Sequence, residues 1–390
     1  MQPALALPVK ATHQQTRTFN QQLVLRAVYD QTPTSRADIA RLTGLTRTSV
    51  SDLVGDLIDD GLVEEIGRGP SSGGKAPILL RFVPDGRHLI GLDLGEAAFS
   101  GALVNLRGEI LRSLRLPLDG RDGTAALELV HELVDALRAD AQRPLLGIGI
   151  GAPGLIDTRT GTVRWSAHLD WANLGLGPLL EARHKLPVIV ANDSQSAALA
   201  ELTFFRRPRP HNLVVIRVGR GIGAGIIVNG QLFQGDGFGA GEIGHVSDNG
   251  TERCTCGKRG CLETAASMES MLRAAAAVDP AIHDEDRLVA AFRSGHEQVR
   301  EIVCAGAREL GRAIAPIIGV LNIRHVLLVG PATSLGREWL DLVRSAAFAR
   351  VLPLLARETD IEFGHPHNDV VVLGASALLI TKVLGLSLAR

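Results

Sequence analysis

A chain of 390 residues that is 45% hydrophobic can bury more than one core, so two or three domains are expected. Its formal net charge of −1 provides no global field that would advertise nucleic acid or an anionic membrane. The longest apolar runs, such as VVVLGASALLI at 370–380, reach roughly half of a bilayer crossing, and MQPALALPVK lacks the basic start and long apolar stretch of an export signal. The expectation is a soluble cytoplasmic protein with no membrane partner, whose cysteines are thiols or metal ligands rather than disulfides.

Residues 1–16 read as a flexible tail. Helical spacing then begins in FNQQLVLRAVYDQ, where Leu23, Val24, Ala27 and Val28 recur on one face. Pro33 closes that helix. TSRADIARLTG starts a second, with Thr34 or Ser35 as N-cap and Gly44 as the stop. In LTRTSVSDLVGDLIDDG, Val50, Leu53, Val54, Leu57 and Ile58 form one apolar stripe behind the cap Thr46. The strands LVEEIG and PILLRFV flank the glycine-rich RGPSSGGKA, so residues 17–84 read as a winged helix-turn-helix.

That pattern assigns Arg47, Thr48, Ser49 and Ser51 to base edges, at the start of a recognition helix. Arg68, Ser71, Ser72 and Lys75 fall on the wing, placed to reach phosphates or a minor groove. The segment carries as many acids as bases, which would suit a protein-binding headpiece instead. The acids cluster late, however, at Asp56, Asp59, Asp60, Glu64 and Glu65, and leave the DNA face basic and hydroxylated. The stretch resembles the winged-helix headpieces of many bacterial repressors.

After Pro84, strands and helices alternate. LIGLDLGEAAFSGALVNLRGEILRSLRLPL predicts three strands joined by tight turns, followed by the helix GTAALELVHELVDALRADA and the buried strand LLGIGIGAPGLID. NLVVIRVGRGIGAGIIVNGQL repeats the strand–glycine turn–strand theme. This weak duplication predicts two α/β lobes around a cleft: residues 85–192, completed by a C-terminal helix at 370–390, and residues 193–369. Long helices between 284 and 321 and the strand HVLLVG belong to the second lobe.

Three of the four cysteines stand close together. Cys254, Cys256 and Cys261 give C-x-C-x4-C, and His245 lies nine residues before the first. Three thiolates and one imidazole make a four-coordinate zinc set of the structural type, with no open position for activated water. The plain alternative is a loop of reduced thiols. Cys304, in a helical run, reads as core.

An ordered set of segments resembles the ROK proteins (repressors, uncharacterised reading frames and sugar kinases). They are GLDLGE, GIGIGAPGLID, LDWANLGLGPLLEARHKLPVIVANDSQSAALAE, VGRGIGAGIIVNGQLFQGDGFGAGEIGH, CTCGKRGCLE and HVLLVG, and the zinc spacing belongs to the same set. With the headpiece, the resemblance spans roughly residues 17–382 and points to the repressor branch. It implies an actin-like fold of two ribonuclease-H-like lobes with a sugar between them. On the sugar side it implies Asn192 and Asp193, with Asp193 in the position of a kinase's catalytic base, together with Glu242, His245 and Glu263. His168 stands where asparagine is common, which leaves the identity of the sugar open.

On the nucleotide side the chain departs from the family pattern. Glu96 and Ala97 replace the end of D-x-G-G-T, Arg220 replaces the threonine of G-T-G, and Pro331 removes an amide donor at a turn that usually carries two glycines. These changes argue against ATP binding. The expectation is therefore a sugar-responsive DNA-binding regulator, a repressor rather than an enzyme, acting as a homodimer or dimer of dimers on operator DNA, with structural zinc and no catalytic residue. The rival is a sugar kinase with a DNA headpiece, in which Asp193 is the base.

Overall fold

The computed structural model describes residues 12–70, 76–205, 210–247, 250–366 and 369–386. The chain opens with α1 (His13–Asp30), then β1 (Thr34–Ser35), α2 (Arg36–Thr43), α3 (Arg47–Asp59), β2 (Val63–Arg68) and β3 (Ile78–Phe82). Helix α1 begins inside the segment assigned to a tail. Thr12 and Gln15 form a reciprocal capping box, with bonds of 2.8 and 3.1 Å, that satisfies two of the free amides there. Its buried face is Val24, Leu25, Val28 and Tyr29, while Leu23 and Ala27 are half-buried, so the stripe is rotated from the expected one. Ser35 caps α2, Gly44 ends it in the left-handed region, and Thr46 caps α3 by accepting from the Ser49 amide. Val50, Leu53, Val54 and Leu57 pack against α1, with Leu80 and Phe82 of the wing beneath. The three strands pair in the order β1-β3-β2.

The body begins with β4 (His88–Leu94), β5 (Ala98–Asn105), β6 (Ile110–Pro117), α4 (Gly123–Ala139) and β7 (Leu145–Ala152). A small antiparallel sheet follows, made of β8 (Leu155–Asp157), β9 (Thr162–Ser166) and β10 (Trp171–Leu174). Next come α5 (Leu176–His184), β11 (Val188–Asn192), α6 (Asp193–Ala200), β12 (Leu213–Val218), β13 (Ile222–Val228) and β14 (Gln231–Phe233). The remainder is α7 (Leu262–Ala266), α8 (Met268–Val278), α9 (Glu285–Arg293), α10 (Glu297–Leu321), β15 (His325–Val329), α11 (Arg337–Phe348), α12 (Pro353–Glu358), β16 (Asp360–Phe363) and α13 (Val370–Leu384).

Two five-stranded sheets share one topology. The first has the order β11-β7-β4-β5-β6 and the second β14-β13-β12-β15-β16. In each, three antiparallel strands follow one another and two later strands add parallel to the first. This repeat is the pair of α/β lobes that the sequence predicts, with the actin-like, ribonuclease-H-like form that the family resemblance implies. The helix that follows each sheet crosses over: α6 lies on β12 and β13, α13 lies on β4 and β7, and the two helices pack on each other.

The cores follow from this crossing. One cluster lies between the first sheet and α4, and another between the second sheet and α7–α11. The third is continuous from the headpiece through α6 and α13 to the inner faces of both sheets. Arg107, between β5 and β6, closes the joint from the outside. It donates to the Tyr29 carbonyl at 2.9 Å and lies over the Tyr29 ring at 3.8 Å.

Candidate functional site

The lobes face each other across a cleft that opens to solvent and is lined largely by charged and polar side chains. It is built mainly from strand ends, turns and loops. β11 and α6 supply Asn192 and Asp193, the β9–β10 loop supplies His168, and the turn after β4 supplies Glu96. From the second lobe come Arg217 at the end of β12, Glu242 and His245 around a short turn of helix, and Glu263 in the first turn of α7. All six residues expected to bind sugar therefore line one cavity.

Asn192 caps α6: its side-chain oxygen accepts from the Ser194 and Gln195 amides at 2.9 and 3.1 Å. Its Nδ2 donates to the Gly154 carbonyl at 3.1 Å, which leaves one amide hydrogen for a ligand. Asp193 accepts from the Ser194 amide and hydroxyl on Oδ1 and from Arg217 at 3.0 Å on Oδ2. Glu263 accepts from the Ile222 amide at 3.2 Å, which ties α7 to the start of β13. Burial, reinforced by Asp193 and Glu263, pushes the Glu242 carboxyl up to about 7.

At the cavity rim, Glu96 is held by His168 Nε2 at 3.0 Å and by Arg220 at 3.4 Å, and Arg220 also reaches Glu269 at 3.3 Å. Burial raises the Glu96 carboxyl even so, against the pull of His168 and Arg220. Pro331 begins the turn after β15 and stands close to Gly219, the residue before Arg220. Of the three departures from the family pattern, Glu96 and Arg220 are thus joined through an ion pair.

His245, Cys254, Cys256 and Cys261 come together behind this wall. Their ligand atoms all lie within 4.8 Å of one another, with Cys254 Sγ 3.5 Å from His245 Nδ1 and Cys256 Sγ 3.5 Å from Cys261 Sγ. Bonds of about 2.0–2.3 Å to a tetrahedral ion require spacings of this order. No disulfide joins them. Burial first, then the neighbouring thiols, push Cys261 up to about 12, so three thiolates here need a cation to coexist. The donor set can hold a metal ion. Cys304 stands apart on α10, packed against the second-lobe core.

The headpiece presents Arg47, Thr48 and Ser51 as exposed side chains at the start of α3, and Arg68 as an exposed side chain at the end of β2. Ser49 is half-buried and its hydroxyl lies 2.9 Å from Thr46 Oγ1, so it belongs to the helix cap. Ser71, Ser72 and Lys75 lie outside the described residues. Sequence reasoning missed Arg217, although a lone arginine in the apolar run LVVIRVG was its signal.

The fold and cleft define a two-lobed, sugar-kinase-like body with a winged helix ahead of it. Residues 89–382 match the ROK family and residues 16–71 match the MarR family of winged helices, and the chain belongs to the ROK family. It is 31% identical over 390 residues to a xylose repressor of Caldicellulosiruptor bescii, covering 95% of this chain and 98% of the relative. A crystal structure described as a ROK family transcriptional regulator, homolog of the E. coli MLC protein, superposes with a TM-score of 0.82 at 27% identity, over 96% of this chain and 98% of that one. A ROK glucokinase from Streptomyces griseus, in complex with glucose and AMPPNP, shares the fold with a TM-score of 0.67 at 24% identity, over 75% of this chain and 98% of that one.

Proposed function

We propose that this protein is a sugar-responsive DNA-binding regulator, a repressor of carbohydrate-utilisation genes whose body binds a sugar without phosphorylating it. One observation supports the reading: a cleft lined by carboxylates, an amide and imidazoles and the exposed start of α3 belong to elements joined through a single continuous core. Carboxylates suit vicinal hydroxyls because each oxygen can accept from a different one. Asp193, Glu242 and Glu263 act as acceptors, with Asn192, His168 and His245 completing the set. Zinc on His245, Cys254, Cys256 and Cys261 fixes the loop that carries Glu242 and holds the His245 ring in one orientation.

Arg47, Thr48 and Ser51 read base edges, and Arg68 with the wing residues Ser72 and Lys75 contacts the backbone. A homodimer, alone or paired, offers two such helices to a pseudo-palindromic operator. Glu96, Arg220 and Pro331 oppose ATP.

The second reading is a sugar kinase with a DNA headpiece, favoured by Asp193 at the base position and by the fold it shares with a glucokinase. Thermal shifts across a sugar panel, with and without Mg-ATP, separate the two, because a ligand of the folded state raises its stability. The regulator reading expects a sugar response that ignores Mg-ATP and a gel shift on the protein's own promoter region that the sugar alters. Sugar phosphate formed from ATP would establish the kinase instead. A sugar that saturates the body without changing operator affinity would break the proposed linkage.

A further inference from the structure

Along β12, Val214, Ile216 and Val218 face the second-lobe core, while Leu213 and Val215 face α6. Arg217 continues the latter face at its cleft end, where α6 presents Asp193 as its first residue. A guanidinium turned inward against a positive helix terminus is costly unless a carboxylate intervenes. Asp193 is that carboxylate, at 3.0 Å. Asp93, at the end of β4, supplies a second nearby charge, and its Oδ1 is buried with no hydrogen-bond partner. Asp93 and Asp193 belong to the first sheet and its following helix, whereas Arg217 belongs to the second sheet.

We infer that Arg217 is a positioning residue of the cleft, an internal cation that neutralises the Asp93–Asp193 pair and fixes Asp193 from the opposite lobe. Two carboxylates converging on one point repel each other unless a cation lies between them, and hard divalent ions are the usual occupants of such oxygen sites. Here the chain provides its own. With Oδ2 held by Arg217 and Oδ1 held by Ser194, the Asp193 carboxylate has one orientation before any ligand arrives, which lowers the ordering cost of binding. The same pair sets the spacing of the lobes, and Arg220 on Glu96 forms a second bridge at the rim. The effect on sugar affinity rests on the sugar-binding reading; the exclusion of a metal ion from the cleft does not.

The test uses the full, zinc-loaded chain and its Arg217→Gln and Arg217→Lys variants, titrated with Mn2+ by electron paramagnetic resonance and with the sugar found in the panel. Wild type should take up no Mn2+ in the cleft. Arg217→Gln should bind a single Mn2+ that is lost when Asp193→Asn is added, and should bind sugar at least about tenfold more weakly, with recovery as Mn2+ is supplied. Arg217→Lys, which keeps the charge, should exclude Mn2+ and stay near wild-type affinity. Mn2+ uptake at Asp193 in wild type or in the Lys variant overturns the inference, and so does a Gln variant that binds sugar normally and takes no Mn2+. If the Gln variant does not fold, the wild-type and Lys titrations decide. Should no sugar bind any form, the functional reading falls while Mn2+ uptake still judges the role of Arg217.

Discussion

Gly374 of α13 lies directly against the backbone carbonyl of Ser196 in α6: a Cβ at Gly374 would stand 1.6 Å from that oxygen. The contact joins the two helices that cross between the lobes. α6 starts at Asn192 and Asp193 in the cleft, and α13 runs on to Gly385, where an added Cβ would meet Gln22 of α1. A path of packed elements therefore leads from the cleft to the headpiece. Gly374→Ala should cost about 1–3 kcal/mol through overpacking, read as a lower midpoint in thermal or urea unfolding. It should also weaken the operator's response to sugar more than it weakens sugar binding. Unchanged stability with an unchanged response would show that the crossing transmits nothing.

The metal cluster makes a separate prediction. Cys256→Ser removes one of four ligands, and the purified variant should hold less than one equivalent of zinc by elemental analysis. Glu242 and Glu263 flank the clustered loop, so sugar affinity and operator control should fall together, through lost order of the wall. Chelation of wild type should reproduce the loss. A zinc-free variant that binds sugar normally would make the metal a bystander.

Asp93 sets a pH dependence. Burial, working against Arg217 and aided by Asp193, raises its carboxyl from 3.8 to about 6. A carboxyl raised on folding favours the protonated native state, so the penalty for ionising it is absent below the unfolded value. That penalty grows as pH rises from about 4 through 6 and reaches roughly 3 kcal/mol by pH 7. Asp93→Asn removes the titration. The stability difference between the variant and wild type should grow in the variant's favour across that window, measured by urea unfolding at several pH values. A difference that stays flat would place Asp93 outside any buried charge cluster.

Much of this architecture is legible in the sequence because its determinants are local. Thr46, Gly44 and the stripe from Val50 to Leu57 define α3 within a dozen or so neighbours, and the Cys–His spacing packs a ligand set into one loop. Contacts between distant segments follow no such rule. His168, Glu96 and Arg220 meet across separate parts of the chain, and Arg217 finds Asp193 only once strand facing and helix crossing are known. The cap of α6 is a subtler case: adjacent Asn192 and Asp193 are both good caps by type, and backbone geometry chooses Asn192. That choice frees the Asp193 carboxylate for the cleft.

The headpiece carries the last prediction. Arg47 is the first residue of α3, is exposed, and has no ion-pair partner among the described residues, so its guanidinium is placed to reach a base edge. Asp56 on the same helix, by contrast, is engaged by Arg17 at 2.5 Å, which removes an acid from competition for the DNA face. Arg47→Ala should lower affinity for the cognate operator by about 1–3 kcal/mol, or roughly 5- to 150-fold, while non-specific binding changes far less. A residue that only touches phosphate would behave differently, weakening all sequences alike and reducing the salt slope by about one. Fluorescence anisotropy with cognate and scrambled duplexes over a range of salt concentrations distinguishes these outcomes. A variant that binds both duplexes as wild type does would remove Arg47 from the DNA interface, and with it the assignment of α3 as the reading helix.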